Sequence, residues 1–364
     1  MSIEEGNLKY WVALSVYPKI GPIRFKKLFD FFKNTKLIWQ AEGIDLLKAG
    51  LEEHIIIDFI EARKKIHPEK ELEKNLKENI KIITIENKAY PQKLRKIDSP
   101  PFVLYYKGNL NYKEPSLAII GTRKMSLYGK QVAGELTRNI CRNNITTISG
   151  MALGIDSIVH KETIRSNDRT VAVLGSGLDE KNIYPKINYN LSKEIIDSNG
   201  LLISEYSAGT PGLSYNFPQR NRIISGLSSG LLVIESALKG GSLITVNYAK
   251  KQNKKIFAIP GPITSNNSAG TNNLIKTNMA KMITSYKDIL DALELKQDIA
   301  KKQIDKLSND EESLLNFLTK SPLHIDEIIK KSKIKSNKIS SLLIVLELKG
   351  LIENLGNMNY ATKS

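Results

Sequence analysis

One stretch decides the fold: residues 116–160 read SLAIIGTRKMSLYGKQVAGELTRNICRNNITTISGMALGIDSIVH. It holds two short apolar runs, each followed by a segment of helical length. Apolar strands that alternate with helices are typical of a parallel sheet covered by helices on both faces. The alternation continues on either side of the stretch. The candidate strands are residues 81–85, 116–121, 146–149, 170–174, 201–205, 230–235 and 255–260.

This pattern predicts the fold class of the central part of the chain. Residues 75–290 are expected to form an α/β core, a Rossmann-like, doubly wound and mostly parallel sheet. Residues 1–74 are expected to form a small helical domain, because apolar residues recur at helical spacing within it. Residues 291–308 are charged and are interpreted as a linker. Residues 309–364 predict a winged helix, with three helices followed by two strands.

A short turn in the helical domain has a second interpretation. Ile20-Gly21-Pro22 precedes a basic helix and is similar to the turn of a helix-hairpin-helix, whose backbone N–H groups bind phosphate. Residues 1–74 carry 13 Lys/Arg and 12 Asp/Glu, a net charge of only +1. Because this charge is so small, a packing role is favoured, and the domain is predicted to be SAM-like or helix-hairpin-helix-like.

The positive charge of the chain is concentrated in the predicted core. The formal net charge of all 364 residues is +16. Residues 75–290 carry 29 Lys/Arg and 15 Asp/Glu, a net charge of +14, whereas residues 291–364 carry 12 and 11. A genome-wide excess of lysine would raise the charge of every segment. The distribution therefore favours an anionic partner, such as a nucleic acid, for the core.

Composition argues against several other classes of protein. The sequence has no apolar run near the roughly 18–20 residues that span a bilayer. Its start, MSIEEGNLKYW, lacks the basic-then-apolar layout of a signal peptide. The single cysteine, Cys141, excludes an intrachain disulfide, and the four histidines show no metal-ligand spacing. We expect a cytoplasmic protein that uses no metal and no cofactor.

Residues suited to bind an anion follow the predicted strands. In a doubly wound sheet, ligands bind beyond the carboxyl ends of the strands. Glycines there let the backbone approach a ligand, hydroxyl and guanidinium groups suit phosphate, and a phenylalanine ring offers a surface for base stacking. The candidate DNA-binding residues are Gly121, Thr122, Arg123, Gly175, Ser176, Lys186, Phe217, Arg220, Asn221, Arg222, Lys239, Gly240, Gly241 and Ser242.

Motifs for nucleotide-dependent catalysis are missing from the sequence. Gly175-Ser176-Gly177 is followed by Glu180 where a dinucleotide fingerprint needs a third glycine, and no Walker motif occurs. Asp156 and His160 are spaced as an acid–base pair on one helix, although a helix cap is the favoured role for the aspartate. Glu205 and Glu235 end strands and are weaker catalytic candidates, since no nucleophile or metal cluster accompanies them.

Eight segments, in this order, resemble the DNA-processing protein A (DprA/Smf) family. They read GTRKMSLYG, SGMALGIDSIVH, VLGSGLD, GLLISEYSAGT, FPQRNRIISGLS, GGSLITVNYAKKQ, IFAIPGPI and SAGTNNLI, and the resemblance covers roughly residues 80–285. One departure is Ser207-Ala208-Gly209, where the family usually has a proline. The resemblance implies a non-enzymatic homodimer that binds single-stranded DNA, protects it during natural transformation and helps load the RecA recombinase. It also implies that Arg123, Lys186, the Phe217–Arg222 segment and the Gly240-Gly241-Ser242 turn contact DNA.

Two alternatives remain open at this point. Phosphoribohydrolases that cleave nucleoside monophosphates share a similar fold and a Gly-Gly turn, but their catalytic glutamate has no counterpart after Gly240-Gly241, and Lys239 replaces their proline. A regulator of double-stranded DNA that acts through residues 309–362 is disfavoured by the near-zero charge of that segment. The apolar stretch 274–289 is our prediction for the dimer surface.

Overall fold

The computed structural model describes residues 3–110, 115–295, 308–318, 322–332, 334, 336–348, 351–356 and 358–362. The chain divides into two compact units, Met1–Ile299 and Ala300–Ser364. Most of the predicted linker, residues 296–307, lies outside the described residues, and the domain boundaries at 74, 290 and 308 stay predictions. Among the described helices, none is long and apolar enough to cross a membrane.

Six helices open the first unit and pack onto the central sheet. Phe25 stacks on Phe102 of the core, with ring centroids 3.9 Å apart. The Asn75 amide donates to the Ser207 hydroxyl over 2.7 Å and accepts from the Ala208 N–H over 3.0 Å, so polar contacts reinforce the apolar ones. The helices are α1 (Ile3–Val16), α2 (Pro22–Phe32), α3 (Thr35–Gln40), α4 (Gly43–Lys48), α5 (Glu53–Lys65) and α6 (Pro68–Lys77).

Nine described strands form the central sheet of the first unit, in the order β1-β2-β6-β5-β4-β3-β7-β8-β9. Every pair from β6 through β9 is parallel, whereas β1 and β2 run antiparallel at one end. The strands are β1 (Lys81–Thr84), β2 (Val103–Gly108), β3 (Ser116–Ile120), β4 (Thr146–Ser149), β5 (Thr170–Leu174), β6 (Leu201–Ser204), β7 (Gly230–Val233), β8 (Lys255–Ala258) and β9 (Lys281–Met282).

Helices cover both faces of this sheet. Alternate side chains of β3 point to opposite layers: Leu117 packs in one apolar cluster, with Ile140 of α8, and Ala118 in another, with Ile223 of α11. The doubly wound prediction is thereby confirmed. The helices are α7 (Gln92–Arg95), α8 (Leu127–Arg142), α9 (Ile155–Arg165), α10 (Tyr189–Asp197), α11 (Asn216–Leu227), α12 (Ser242–Lys251), α13 (Asn266–Lys276) and α14 (Tyr286–Ala292).

All seven predicted strands are present, and two further strands escaped the sequence pattern. β2 joins the sheet through antiparallel pairing with β6 and is preceded by the four-residue helix α7, so the strand–helix alternation does not mark it. β9 has two residues, and both side chains are exposed, so it carries no apolar signal. The sheet is therefore mixed rather than wholly parallel.

The predicted dimer surface is wrong for its main apolar residues. Leu274 of α13, Ile283 just after β9 and Ile289 of α14 are 4%, 0% and 0% exposed, because they pack into the core of the first unit. These side chains stabilise the fold of a single chain and are not available to a partner.

The second unit has the winged-helix arrangement that the sequence predicts. Three helices surround an apolar core that includes Leu314, Ile328 and Leu343. A short strand that the sequence analysis missed, β10, completes a three-stranded antiparallel sheet in the order β10-β12-β11. Asn357, between the two predicted strands, lies outside the described residues. The elements are α15 (Asn309–Leu318), β10 (Leu323–His324), α16 (Ile325–Lys331), α17 (Ser336–Leu348), β11 (Ile352–Gly356) and β12 (Asn359–Thr362).

A buried histidine of α9 should make the stability of the first unit depend on pH. His160 is fully buried, with its Nδ1 2.8 Å from the Thr170 hydroxyl, and burial lowers its pKa to about 3. In the unfolded chain the imidazole regains a pKa near 6.5 and binds a proton that the native state excludes. The free energy of unfolding should therefore fall by up to about 1.4 kcal/mol per pH unit below about pH 6.5.

The variant His160→Asn isolates this contribution. Urea unfolding at pH 6, 5 and 4, followed by tryptophan fluorescence, reports on the first unit because both tryptophans, Trp11 and Trp39, lie there. The native protein should lose about 1.4 kcal/mol per pH unit more than the variant. Parallel pH curves for the two proteins would show that His160 titrates normally.

Candidate nucleic-acid interface

A cleft of about 790 Å³ opens where the strand order of the sheet reverses. The chain runs from β3 outward to β4, β5 and β6, then returns to place β7 on the other side of β3. The loops that follow β3 and β7 separate at such a point, which is where ligands bind in doubly wound sheets. The walls of the cleft are the loop after β3, the first half of α11 and the start of α12.

The first wall presents Arg123 to solvent. The backbone N–H of Thr122 donates to the Glu235 carbonyl over 2.9 Å, and the Thr122 carbonyl accepts from the Ile155 N–H over 3.3 Å. These bonds tie the loop to β7 and α9. Arg123 is exposed, and its guanidinium carbon lies 5.6 Å from the centre of the Phe217 ring, within cation–π range. The guanidinium edge is therefore left to face a ligand.

The Phe217 ring of the second wall lies beside the ring of Tyr184, which comes from the loop after β5. We call these two rings and Arg123 the aromatic platform. The ring centroids are 5.2 Å apart and the planes are tilted by 35°. Phe217 is half-buried and Tyr184 exposed. A Cβ on Gly175 would lie 2.8 Å from Phe217 Cδ1, so only glycine lets the ring settle against the strand end. Such a surface can stack an unpaired base beside a cation.

The third wall is the start of α12. Ser242 begins the helix after the N-cap residue Gly241, and its hydroxyl donates to the Ser236 hydroxyl over 2.8 Å. A Cβ on Gly241 would meet nothing within 4 Å, so the backbone is open to the cleft. The start of a helix carries unpaired N–H groups and a partial positive charge, which attract an anion.

Arg220 lies in the floor of the cleft and not in its wall. It is 4% exposed, and its Nη1 donates to the Gly150 carbonyl over 2.9 Å and to the Val173 carbonyl. Its Nε donates to the Asn221 amide oxygen over 3.2 Å. Burial lowers the pKa of Arg220 to about 10. These bonds support the floor of the cleft, whereas the sequence analysis named Arg220 as a DNA contact.

Asp156 is the buried acidic neighbour of Arg220. One of its carboxylate oxygens accepts from the N–H groups of Gly150 and Ala152 over 3.1 and 3.3 Å. Burial raises the pKa of this carboxyl, and the nearby charge of Arg220 opposes the shift. Asp156 was expected to cap a helix, and this expectation is wrong. The N-cap residue of α9 is Gly154, and Asp156 holds the loop before the helix. His160 contacts Thr170, so the two residues do not act as an acid–base pair.

Nine of the fourteen candidate residues line the cleft together. They are Gly121, Thr122, Arg123, Phe217, Arg220, Asn221, Gly240, Gly241 and Ser242.

Five candidates lie elsewhere. Gly175 supports Phe217 from behind, and Ser176 is fully buried with its hydroxyl donating to the Gly177 carbonyl over 3.2 Å. The remaining three are the cations Lys186, Arg222 and Lys239.

These three cations do not line the cleft. The exposed Lys186 donates to the Glu180 carbonyl over 3.1 Å, and Lys239 is exposed beside the turn that opens α12. Arg222 forms a two-pronged ion pair with Glu205, with N–O distances of 2.7 and 2.6 Å, on the opposite face of α11. Its guanidinium is therefore not available in the cleft.

Two residues that border the cleft were missed as candidates. Tyr184 is two positions before the candidate Lys186, and an aromatic residue in a strand-end loop was a usable signal. Asn267 comes from α13, and its amide donates to the Lys124 carbonyl over 2.8 Å. No local pattern marks Asn267, because its contact joins residues 143 positions apart.

Comparison with known proteins places the chain in a family. The family model described as DNA recombination-mediator protein A matches residues 81–294, and a model described as DprA winged helix domain matches residues 298–358. The chain belongs to the DNA recombination-mediator protein A family. Protein Smf of Synechocystis is 37% identical over 290 residues, which cover 78% of this chain and 72% of that protein. DNA processing protein DprA of Bacillus subtilis is 39% identical over 218 residues, 59% of this chain and 72% of that protein.

Two solved structures of the family are also similar. DNA processing protein A of Streptococcus pneumoniae has a TM-score of 0.67 at 31% identity, over 77% of this chain and 95% of that one. The Helicobacter pylori protein, described for its single-stranded DNA binding mode, has a TM-score of 0.53 at 30% identity, over 59% and 96% of the two chains.

The positions of Arg220 and Arg123 predict that replacing the first costs much stability and replacing the second costs little. Arg220→Met should lower the free energy of unfolding by about 3 kcal/mol, because two buried carbonyls lose their donor and Asp156 loses its nearby positive charge. Arg123→Met, at an exposed position, should change it by less than about 0.5 kcal/mol. Urea unfolding followed by tryptophan fluorescence measures both. An Arg220→Met protein that is as stable as the native one would show that the guanidinium is not needed in the floor.

Proposed function

We propose that this protein binds single-stranded DNA in the cleft and performs no catalysis there. The observation that carries the proposal is the aromatic platform: Arg123 lies over the Phe217 ring at the edge of a basic core, with a helix start opposite. This combination supports phosphate binding beside base stacking, which is how sequence-tolerant single-strand binding proteins work. The description of the Helicobacter pylori relative supports the same ligand.

The carboxylates near the cleft support a binding role over a hydrolytic one. The Glu235 carboxylate accepts from the Ser126 N–H and hydroxyl over 2.9 and 2.5 Å, and Glu205 is paired with Arg222. Each is occupied by a structural partner. We therefore favour DNA binding over the phosphoribohydrolase alternative, whose glutamate after the Gly-Gly turn also has no counterpart in this sequence.

The wider role that we propose follows from membership of the family. The protein protects incoming single strands in the cytoplasm during natural transformation, acts as a homodimer, and helps to load the RecA recombinase onto the strand. Lys186 and Lys239, which lie outside the cleft, belong in this proposal to the path of the strand beyond it. The winged helix has an accessory role, because residues 291–364 carry a net charge of only +1.

Strand preference is the first test of the proposed function. Stacking on Phe217 requires an exposed base face, which a duplex does not offer. A homothymidine strand should bind at least about tenfold more tightly than a duplex of equal length, measured by fluorescence anisotropy at one salt concentration. Equal affinity for the two would contradict the proposal, whichever residues were responsible.

Two substitutions separate the phosphate contact from the base contact. Arg123→Gln removes a cation, so fewer counterions are released and the slope of log affinity against log salt should shrink by roughly 0.7. Phe217→Leu keeps most of the apolar volume but removes the ring, so affinity should fall roughly 5- to 150-fold with the slope unchanged. Ser214→Ala, which changes an exposed hydroxyl at the cleft rim, is the matched control. Normal affinity in a stable Phe217→Leu protein would make the ring a structural element only.

A further inference from the structure

The guanidinium of Arg123 is carried by an irregular segment, residues 121–126, which joins β3 to α8. We call this segment the arginine loop. It is neither helix nor strand, so regular backbone hydrogen bonding does not hold it. A loop that has to be ordered when a ligand binds lowers the affinity for that ligand. The contacts that fix the arginine loop beforehand therefore influence how tightly Arg123 can bind.

A buried carboxylate lies directly behind the arginine loop. Glu235 comes just after β7, is 1% exposed and does not line the cleft. Its backbone carbonyl accepts from the Thr122 N–H, near the start of the loop, over 2.9 Å. Its two carboxylate oxygens accept from the N–H and the hydroxyl of Ser126, at the end of the loop, over 2.9 and 2.5 Å. One residue thus holds both ends of the loop that carries Arg123.

The surroundings of the Glu235 carboxylate favour an anion at this point. Ser126 is the N-cap residue of α8, so the carboxylate lies at the start of a helix of 16 residues, where the partial positive charge of the helix stabilises it. On the same helix, a Cβ on Gly129 would lie 2.2 Å from a carboxylate oxygen of Glu235, so only glycine leaves room for the side chain. Hydrogen bonds and the helix dipole together offset the cost of burying the charge.

Two further contacts hold the middle of the arginine loop. The Lys124 carbonyl accepts from the amide of Asn267 over 2.8 Å. Gly154, at the start of α9, packs so closely that a Cβ there would lie 2.3 Å from the carbonyl oxygen of Thr122. Compared with these contacts, Glu235 contributes a negative charge as well as hydrogen bonds. Its effect on DNA binding therefore has two parts of opposite sign.

The charge of Glu235 by itself works against a nucleic acid, because a carboxylate repels phosphates. We propose that Glu235 is nevertheless a positioning residue for single-strand binding. It fixes the arginine loop so that the Arg123 guanidinium stays over the Phe217 ring and meets a phosphate without further ordering. The inference rests on the proposed function of the cleft.

Two neutral substitutions of Glu235 separate positioning from repulsion. Glu235→Gln and Glu235→Ala remove the same charge, but glutamine keeps an oxygen that can accept from the Ser126 N–H, and alanine does not. If only the charge mattered, both variants would bind a homothymidine strand equally. We expect Glu235→Ala to bind roughly two- to tenfold more weakly than Glu235→Gln, because its arginine loop is ordered only on binding. Fluorescence anisotropy measures both affinities, on proteins shown to be folded by tryptophan fluorescence.

The variant Arg123→Gln shows whether the effect passes through the arginine. In the Arg123→Gln background, the difference between Glu235→Gln and Glu235→Ala should vanish. With Arg123 present, Glu235→Ala should have the smaller slope of log affinity against log salt, by up to roughly 0.7, because a loosely held cation displaces fewer counterions. A merely structural role would change neither the slope nor the dependence on Arg123.

Ser126→Ala provides a milder test if Glu235→Ala does not fold. It removes the hydroxyl that donates to Glu235 and leaves the carboxylate charge in place, while Ser126→Thr keeps a hydroxyl and is the matched control. Affinity should fall about two- to threefold in Ser126→Ala relative to Ser126→Thr, and the two should be equal in the Arg123→Gln background.

The outcomes distinguish failure of this inference from failure of the proposed function. If Glu235→Ala and Glu235→Gln bind alike, or if their difference persists without Arg123, Glu235 does not position the arginine, although the cleft still binds DNA. If Arg123→Gln binds as tightly as the native protein, there is no arginine contact to position, and the proposed function of the aromatic platform fails together with the inference.

Discussion

The hydrogen bonds of Arg220 hold together the part of the molecule that forms the cleft. The guanidinium reaches from α11 to the carbonyls of Gly150 and Val173, at the ends of two neighbouring strands, while Asp156 holds the loop between β4 and α9. A buried cation is tolerated only when its donors are satisfied and an opposite charge is near. Both conditions are met, so α11 is fixed against the edge of the sheet.

The position of α11 determines the direction in which the remaining side chains of its first turns point. Phe217 packs in front of Gly175 and under Arg123, while Arg222 is turned away to Glu205. Arg220 and Arg222 therefore have different roles although they are two residues apart. Arg220 anchors the helix to the sheet, and Arg222 pairs with the Glu205 carboxylate on the opposite face of α11. Of these three arginines, Arg123, on a separate loop, is the one whose guanidinium is exposed in the cleft.

The strands of the sheet could be predicted only in part from the sequence, and the reason is physical. Buried parallel strands such as β3 are recognisable in the sequence as apolar runs. The two exposed residues of β9, Lys281–Met282, form no such run. Arg123 and Phe217 were found because strand-end loops converge at one edge. Arg220 does lie with Phe217 in the same cleft, but its burial in the floor could not be predicted. How deep a side chain lies depends on where the helix begins, which a local pattern locates only to within a few residues.

The groups that line the cleft suit parts of a nucleotide that do not differ between bases. Guanidinium and backbone N–H groups, from Arg123 and the start of α12, suit phosphate oxygens, which are identical in every nucleotide. The rings of Phe217 and Tyr184 meet the face of a base and not its hydrogen-bonding edge. Discrimination between bases requires donors and acceptors fixed opposite that edge, and the Nε and Nη1 groups of Arg220 in the floor of the cleft already donate to the protein itself. We therefore infer that the cleft discriminates between single and double strands and not between bases, because only an unpaired base exposes the face on which the aromatic platform can stack.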